Sequence, residues 1–203
     1  MKITIIGAGN IGSTLARNWA KAGHQIFLGV RKVDGFKEKE LLSEGNISID
    51  TIPGAIAKGS VIVLSVPPDA VPSLVKHLEG AKDKIIIDPT NAFRAKPEGF
   101  ENAFDALRSL TRCKHIVKAF NNTGFENIAN PAGLDTFVSG DSEKAKKVVK
   151  QLAKDLGFAN CYDFGGNDKA ALQEQLGMCW INLALVQGMG RDIAINVIKR
   201  QPL

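Results

Sequence analysis

Three glycines near the start of the chain have the spacing of a loop that binds phosphate groups. They lie in the run Gly7-Ala8-Gly9-Asn10-Ile11-Gly12, between a strand-like apolar stretch and a helical pattern. In this arrangement the first glycine permits a tight turn, the second lets the backbone approach a pyrophosphate, and the third allows close helix–strand packing. The helix N-terminus would face the phosphates with free N–H groups. The run predicts a dinucleotide site, with a glycine turn that binds no ligand as the alternative.

Two cations follow the second strand-like run, where a domain that prefers NAD carries an acidic residue for the ribose 2′-hydroxyl. The sequence there reads Gly29-Val30-Arg31-Lys32. A carboxylate would repel a 2′-phosphate, whereas a guanidinium can bind it with two hydrogen bonds and stack on adenine. We therefore predict that Arg31, with Lys32 beside it, selects NADP(H). The alternative is that Arg31 is only a solvated surface residue.

Small polar residues and prolines follow three further strand-like runs. Because ligands of open α/β sheets lie beyond the carboxyl ends of the strands, these exits predict a nicotinamide pocket. The alternative is that such residues only begin turns. The predicted residues at these exits are Ser65, Val66 and Pro67, then Asn91, then Asn121.

No side chain stands out as a general acid or base, so no catalytic residue is assigned. The histidines at 24, 77 and 115 have the sequence context of structural residues. Lys118 lies within a strand, where pairing with an acid or reaching the rim is expected more than catalysis. Hydride transfer between two stacked redox rings needs placement and a dry cleft more than a proton relay. The sequence thus favours transfer between two cofactors over carbonyl reduction.

The elements that must position these residues alternate between strand and helix patterns. Several strand patterns are apolar on both faces, as VIVL and IIID show, which is typical of buried parallel strands. The predicted fold class is α/β, a Rossmann doubly wound parallel sheet with a short C-terminal helical tail. Residues 1–165 are predicted as the NADP-binding domain and 166–203 as the tail. Strands are predicted at 2–6, 25–30, 47–49, 60–66, 84–88, 115–120, 136–140 and 158–165, and helices at 11–22, 37–44, 53–57, 69–78, 101–110, 142–156 and 167–189.

Composition narrows the class of protein further. The 203 residues are 44% hydrophobic and 23% charged, with a formal net charge of +5. The cations do not form one patch or alternate with aromatic residues, which argues against nucleic-acid binding. No apolar run reaches the length of a membrane span, and no signal peptide is recognised, so a cytoplasmic protein is expected. The three cysteines are expected as reduced thiols in or near the core, with no metal site.

Several motifs together resemble a known family. In the order IIGAGNIG, GVRK, SVPP, DPTN, VKAFNNTG and FVSGD, the chain is similar to the NADP oxidoreductases that use the deazaflavin coenzyme F420. The reductase domain of the Steap metalloreductases is a more distant relative. The resemblance implies NADPH in the cleft, with a deazaflavin or flavin as the hydride partner. It places phosphates on residues 7–11, the 2′-phosphate on Arg31, and the nicotinamide near Ser65, Pro67, Asn91 and Asn121. Many relatives read AFNT where this chain reads AFNNTG, which displaces Thr123.

Two alternative functions and the oligomeric state remain open at this point. The chain could be an imine or carbonyl reductase resembling pyrroline-carboxylate reductases, or an NADP(H)-binding redox sensor without catalysis. The tail pattern at 167–189 is apolar on more than one face, so it should be buried against the body or a second subunit. We expect it to pack across a homodimer interface.

Overall fold

The computed structural model describes residues 1–34, 36 and 39–200, of which residue 39 is described without its side chain. These residues form one sheet with helices on both faces. The strands are β1 (Lys2–Ile6), β2 (Gln25–Val30), β3 (Ile47–Thr51), β4 (Val61–Leu64), β5 (Ile85–Asp88), β6 (His115–Ala119), β7 (Asp135–Ser139) and β8 (Asn160–Gly165). The α-helices are α1 (Asn10–Lys21), α2 (Ile52–Lys58), α3 (Val71–Leu74), α4 (Ala103–Leu110), α5 (Phe125–Ala129), α6 (Glu143–Leu156) and α7 (Ala170–Ile181).

The strand order is that of a doubly wound sheet. It runs β3-β2-β1-β4-β5-β6-β7-β8. The first six strands are mutually parallel, and β1 lies between β2 and β4, with Ile5 level with Leu28 on one side and Val63 on the other. The order reverses between β1 and β4, which is where such sheets open a ligand crevice. The predicted fold class is confirmed.

The last two strands run against the first six. β7 is antiparallel to β6, with Ala119 level with Val138, and β8 is parallel to β7. The sequence predicts a parallel sheet, whereas in the structure the last two strands are reversed. The six-strand parallel body and the two reversed strands still form one continuous sheet.

The core lies on both faces because the central strands are apolar on both faces. All four residues of β4 are buried, and so are all four of β5. On one face α1 and α6 pack through Trp19 and Leu152, and on the other α3 and α4 pack through Leu74 and Phe104. The indole N–H of Trp19 donates to the Leu152 carbonyl at 3.1 Å, so the two helices are joined by a buried hydrogen bond as well.

One non-glycine residue at the end of β6 has an uncommon backbone conformation. Phe120 has a φ of +62° and is buried. A bulky residue in the left-handed region is strained, and surrounding contacts must hold it there. The Phe120 ring packs edge-on against Trp19 at 5.6 Å and against Phe158 at 6.3 Å. This turn directs the chain that follows β6 toward the tail.

The tail is helical first and extended afterwards. α7 continues as a π-helical turn over Asn182–Val186, so the predicted helix ends near its expected position. The extended segment from Gly188 onward is attached to the body by Trp180 Nε1 and Asn127 Nδ2, which donate to the Ile193 carbonyl at 2.6 and 2.7 Å. Several apolar side chains of this region are exposed in the isolated chain: Leu172, Leu183, Leu185, Val186 and Met189.

Other sequence expectations differ from the structure. The helix expected at 69–78 is broken into short 3₁₀ and α turns because Pro72 interrupts it. Residues 39–44 form a 3₁₀ helix, and residues 37 and 38 of the helix expected there lie outside the described residues. The short helix α5 was not predicted. Cys113 and Cys161 are partly buried as reduced thiols, but Cys179 is exposed on α7, contrary to the expectation for a core thiol.

Two absences hold for the part of the chain that the structure describes. No helix there combines the length and the apolar character needed to cross a bilayer. The same residues contain no cluster of three or more histidine, cysteine or acidic side chains arranged to hold a metal ion.

Candidate active site

The three loop glycines differ in what surrounds them. A Cβ on Gly7 would lie 2.2 Å from the Ser65 carbonyl oxygen, and Gly7 also has a φ of +97°. A Cβ on Gly12 would lie 2.1 Å from the Gly7 carbonyl oxygen. A Cβ on Gly9 would meet no atom within 4 Å. Gly7 and Gly12 are therefore required by packing, whereas the space beside Gly9 is open to a ligand.

The N-terminus of α1 is built to face an anion. Gly9 is the N-cap and supplies no side-chain acceptor, and the first turn contains no acidic residue. The Ser13 hydroxyl donates to the Ala8 carbonyl at 2.8 Å, and the Ser13 N–H donates to the Gly9 carbonyl at 2.8 Å, which together fix the loop. The first N–H groups and the positive end of the helix dipole are left for a negatively charged ligand.

A first cavity of about 460 Å³ lies on one side of the loop. Its wall is mainly apolar and suits a flat ring. The exposed Arg31 borders the same cavity, whereas Lys32 is exposed and is not among its lining residues. The apolar lining residues include Val30, Ile52, Val66, Ala70 and Leu74.

A second cavity of about 280 Å³ lies on the other side of the loop. It is bordered by Asn10 and Ile11 from α1 and by Pro89 and Thr90 from the exit of β5. The two cavities share Gly9, Ser65, Val66 and Pro67. A single ligand could therefore occupy both by crossing the backbone at Gly9.

A buried group of charges lies behind the exit of β5. Lys118 is fully buried, and its Nζ lies 2.9 Å from Asp88 Oδ2 and 2.6 Å from Glu174 Oε1 of α7. The same Nζ donates to the Thr90 carbonyl at 2.8 Å. Burial raises the pKa of Glu174 above its ordinary value, and the ammonium of Lys118 opposes that rise. The lysine inside a strand is thus paired with acids, as its sequence position indicated.

The two asparagines predicted for the nicotinamide pocket contact each other instead of bordering either cavity. Asn91 Nδ2 donates to the Asn121 carbonyl at 2.7 Å, and Asn121 Nδ2 donates to Asn91 Oδ1 at 2.9 Å. Gln173 of α7 donates to Asn121 Oδ1 at 2.8 Å. Gly177 is packed so closely here that a Cβ would lie 2.6 Å from the Asn121 carbonyl oxygen. These amides join α7 to the strand exits.

The structure brings most predicted residues together and adds others. Besides Gly7 and Gly9 of the loop itself, seven of the predicted residues border one or both cavities, while Gly12 lies packed beneath the loop. Pro89 and Thr90 border the second cavity although only their neighbour Asn91 was predicted. The run DPTN at the end of β5 was the feature of the sequence that could have indicated them. Glu174 and Gln173 could not be found from sequence, because their partners are at least 36 residues away. The seven are Ala8, Asn10, Ile11, Arg31, Ser65, Val66 and Pro67.

The cavities offer few ionisable groups. Among the described residues that border them, Arg31 alone has an ionisable side chain. His24 lies 2.9 Å from Asp155, and His115 lies 2.8 Å from the Ser142 hydroxyl, so both are held within the scaffold. Burial raises the pKa of the Cys161 thiol to about 12, which leaves it protonated and unreactive at neutral pH. The cleft thus binds and orients more readily than it transfers protons.

The strand order, the glycine loop and the free N-terminus of α1 define a Rossmann-type dinucleotide-binding protein. Residues 2–92 match the family described as NADP oxidoreductase coenzyme F420-dependent. An F420-dependent NADP reductase from Methanocaldococcus jannaschii is 30% identical in an alignment that covers 90% of this chain and 92% of the relative. The chain belongs to this family, and it is an NADP-dependent oxidoreductase.

Solved structures share the fold over most of this chain. A protein from Arthrobacter sp. FB24 assigned to the F420-dependent NADP-reductases superposes with a TM-score of 0.82 at 22% identity, covering 98% of this chain and all of the other. An imine reductase from Myxococcus stipitatus in complex with NADP+ superposes with a TM-score of 0.68 at 16% identity. The superposition covers 92% of this chain but only 63% of that imine reductase, and the likeness shows the fold alone.

Proposed function

We propose that the protein binds NADP(H) across Gly9 and transfers a hydride between the nicotinamide and a second redox ring, a deazaflavin or a flavin. The observation that carries the proposal is the pair of cavities that meet over a glycine loop beside an uncapped helix N-terminus. The family supports the nucleotide, and the relative named as an F420-dependent NADP reductase supports a deazaflavin as the partner.

We propose one orientation for NADP(H) on the described residues. The open space beside Gly9 and the α1 N–H groups would hold the pyrophosphate. The first cavity would hold the adenosine, with its adenine between apolar side chains and its 2′-phosphate at Arg31. The second cavity would hold the nicotinamide half between α1 and the exit of β5. Asn91 and Asn121 then act indirectly, by shaping the backbone behind this half.

Bound NADPH supplies the hydride, and the protein supplies geometry. The Pro67 and Pro89 backbones are conformationally restricted, so both give the second cavity fixed walls. Holding two reacting rings within about 3–3.5 Å can lower a barrier substantially without an acid or base. The scarcity of ionisable groups among the described lining residues supports transfer between rings over reduction of a carbonyl.

A steady-state assay of NADPH oxidation tests this function. The acceptors are supplied one at a time: coenzyme F420, FMN, a ferric chelate and a cyclic imine. We expect turnover with the deazaflavin or the flavin, and NADPH should be preferred to NADH. Turnover with the imine alone would replace the proposed reaction with imine reduction. Tight NADPH binding without turnover by any acceptor would indicate a redox sensor.

We also propose that the enzyme is a homodimer. The apolar side chains exposed along α7 and the π-helical turn after it include Leu172 at 56% and Val186 at 63% exposure. Burying such a surface against a second copy would stabilise association at about 25 cal/mol per Å² before the cost of association is subtracted. Light scattering at micromolar concentration tests this assembly, and a monomeric mass would contradict it.

A further inference from the structure

The exit of β5 forms one wall of the second cavity, and this stretch, residues 89–92, is called here the wall segment. Pro89 and Thr90 border the cavity directly. Thr90 is only 6% exposed, and its hydroxyl has no hydrogen-bond partner among the described residues. A buried hydroxyl without a partner is unfavourable, so a group that completes its hydrogen bonding is expected at this wall.

The backbone of the wall segment is held from behind by three ionisable side chains. The Thr90 N–H donates to Asp88 Oδ1 at 2.9 Å, and the Thr90 carbonyl accepts from Lys118 Nζ at 2.8 Å. The Ala92 N–H donates to Glu174 Oε2 at 3.2 Å. Both ends of the segment are therefore fixed by charged groups, which make stronger hydrogen bonds than neutral ones.

Stability alone does not account for this arrangement. Lys118 is wholly inaccessible, and the two carboxylates beside it are at least nine-tenths buried. Buried ion pairs lose much of their attraction to desolvation, and apolar residues of similar volume are often as stable. An apolar set, however, could not bind the Thr90 carbonyl or the Ala92 N–H. The charges therefore determine the position of the wall backbone.

We infer that Lys118 and Glu174 are positioning residues for the nicotinamide half of NADP(H), which they act on through the wall segment. This inference rests on the proposed function, because it takes the second cavity as the nicotinamide site. It connects that half of the nucleotide to α7, a helix of the C-terminal tail. The adenosine half lies on the other side of Gly9 and makes no use of these residues.

Binding measurements with two nucleotides distinguish a positioning role of these residues from a general loss of structure. NADPH should occupy both cavities, whereas adenosine 2′,5′-bisphosphate should occupy only the first. Glu174→Leu removes the acceptor of the Ala92 N–H but leaves Lys118 paired with Asp88. We expect this variant to weaken NADPH binding about tenfold, the value of one hydrogen bond to a charged group, and to change bisphosphate binding less than about twofold. Equal weakening of both nucleotides would overturn the inference.

Glu174→Gln is the matched control: its amide oxygen can still accept from the Ala92 N–H, and the amide NH2 that then faces Lys118 leaves that ammonium with Asp88 and the Thr90 carbonyl as its partners. It should bind NADPH within about threefold of wild type, since the acceptor is retained although the charge is lost. A loss as large as that of Glu174→Leu would mean that the hydrogen bond to the wall segment is not what matters.

Hydrogen exchange of the wild-type protein provides a test that needs no variant. NADPH should slow amide exchange both in the glycine loop and in the wall segment, whereas the bisphosphate should slow it in the glycine loop alone. Protection of the loop without protection of the wall by NADPH would overturn this inference and leave the proposed function standing. Failure of wild type to bind either nucleotide would refute the proposed function itself, and the inference with it.

Discussion

Replacing Gly9 by alanine should abolish tight nucleotide binding without disturbing the fold. The backbone at Gly9 has φ −72° and ψ −175°, which any residue can adopt, and an added Cβ would meet no protein atom within 4 Å. The methyl group would instead project into the space shared by the two cavities, where the pyrophosphate is proposed to cross. Alanine is a poorer N-cap than glycine, but it also reduces the entropy of the unfolded chain, so the two effects on stability nearly cancel.

The size of the effect follows from the contacts that the methyl group would displace. A phosphate moved off the α1 N-terminus by about 1 Å loses one or two hydrogen bonds to a charged group, each contributing about 1.5–3 kcal/mol. A loss of about 2–4 kcal/mol corresponds to a Kd for NADPH about 30- to 700-fold weaker. Thermal unfolding without ligand should be unchanged within a few degrees, since about 1 kcal/mol shifts the Tm of a domain of this size by about 2–4 °C.

The assay is calorimetric titration with NADPH, together with thermal unfolding of the ligand-free protein. Gly80→Ala is the control for the substitution itself, because a Cβ there also meets nothing within 4 Å and the site is remote in sequence from the loop. Gly12→Ala is the opposite case, since its Cβ would lie 2.1 Å from a backbone oxygen. That variant should be destabilised by about 1–3 kcal/mol or more through overpacking.

Two results would refute this reasoning. NADPH binding by Gly9→Ala within about twofold of wild type would show that the pyrophosphate does not cross Gly9, because a methyl group there could not then be in its path. Destabilisation of Gly9→Ala as large as that of Gly12→Ala would show that the loop is packed differently from the structure described above.

Three further predictions concern Arg31 and the buried charges. Arg31→Ala should weaken NADPH binding by about 2–4 kcal/mol and spare NADH, because only NADPH carries the 2′-phosphate; titration with both nucleotides measures this, and equal loss would contradict it. Lys118→Met should lower the free energy of unfolding by about 3–5 kcal/mol by leaving two buried carboxylates unpaired, and adding Asp88→Asn should restore part of it; denaturant unfolding is the measurement, and no recovery would argue against the charge account. Because burial raises the pKa of Glu174, the folded state holds the proton of this carboxyl more tightly than the unfolded chain does. The stability gained from that tighter proton binding is therefore full below pH 4.5 and is lost as the pH rises through the raised pKa. Glu174→Gln should therefore gain stability relative to wild type over that range in unfolding curves, and a difference independent of pH would contradict the shift.

The glycine loop and the central strands could be predicted because their signals are local. Buried parallel strands are apolar on both faces, and the runs at β4 and β5 show this without any tertiary information. The glycine spacing determines turn geometry within six residues. A Cβ on Gly7 or Gly12 would strike a backbone oxygen, which is consistent with the tight turn and close packing predicted for them.

The orientation of the polar side chains at the strand exits depends on distant partners. Asn121 follows Phe120, and the positive φ of this bulky aromatic residue could not be predicted from its residue type. The amide of Asn121 is then held by Gln173, which is 52 residues further along the chain. Likewise, the direction of β7 and β8 depends on which edge of the sheet was still open when they paired. No local pattern contains that information.

The position of Glu174 so late in the chain has a consequence for synthesis. Among the described residues, those that border the first cavity all precede residue 75, so a growing polypeptide already contains the residues of the proposed adenosine site when much of the chain has yet to be translated. The last ion partner of Lys118 comes 100 residues after Leu74, or about 5–20 s later at ordinary elongation rates. A nascent chain on the ribosome would thus contain the residues proposed to bind the phosphorylated adenosine well before it contained Glu174, which is proposed to help orient the reactive ring.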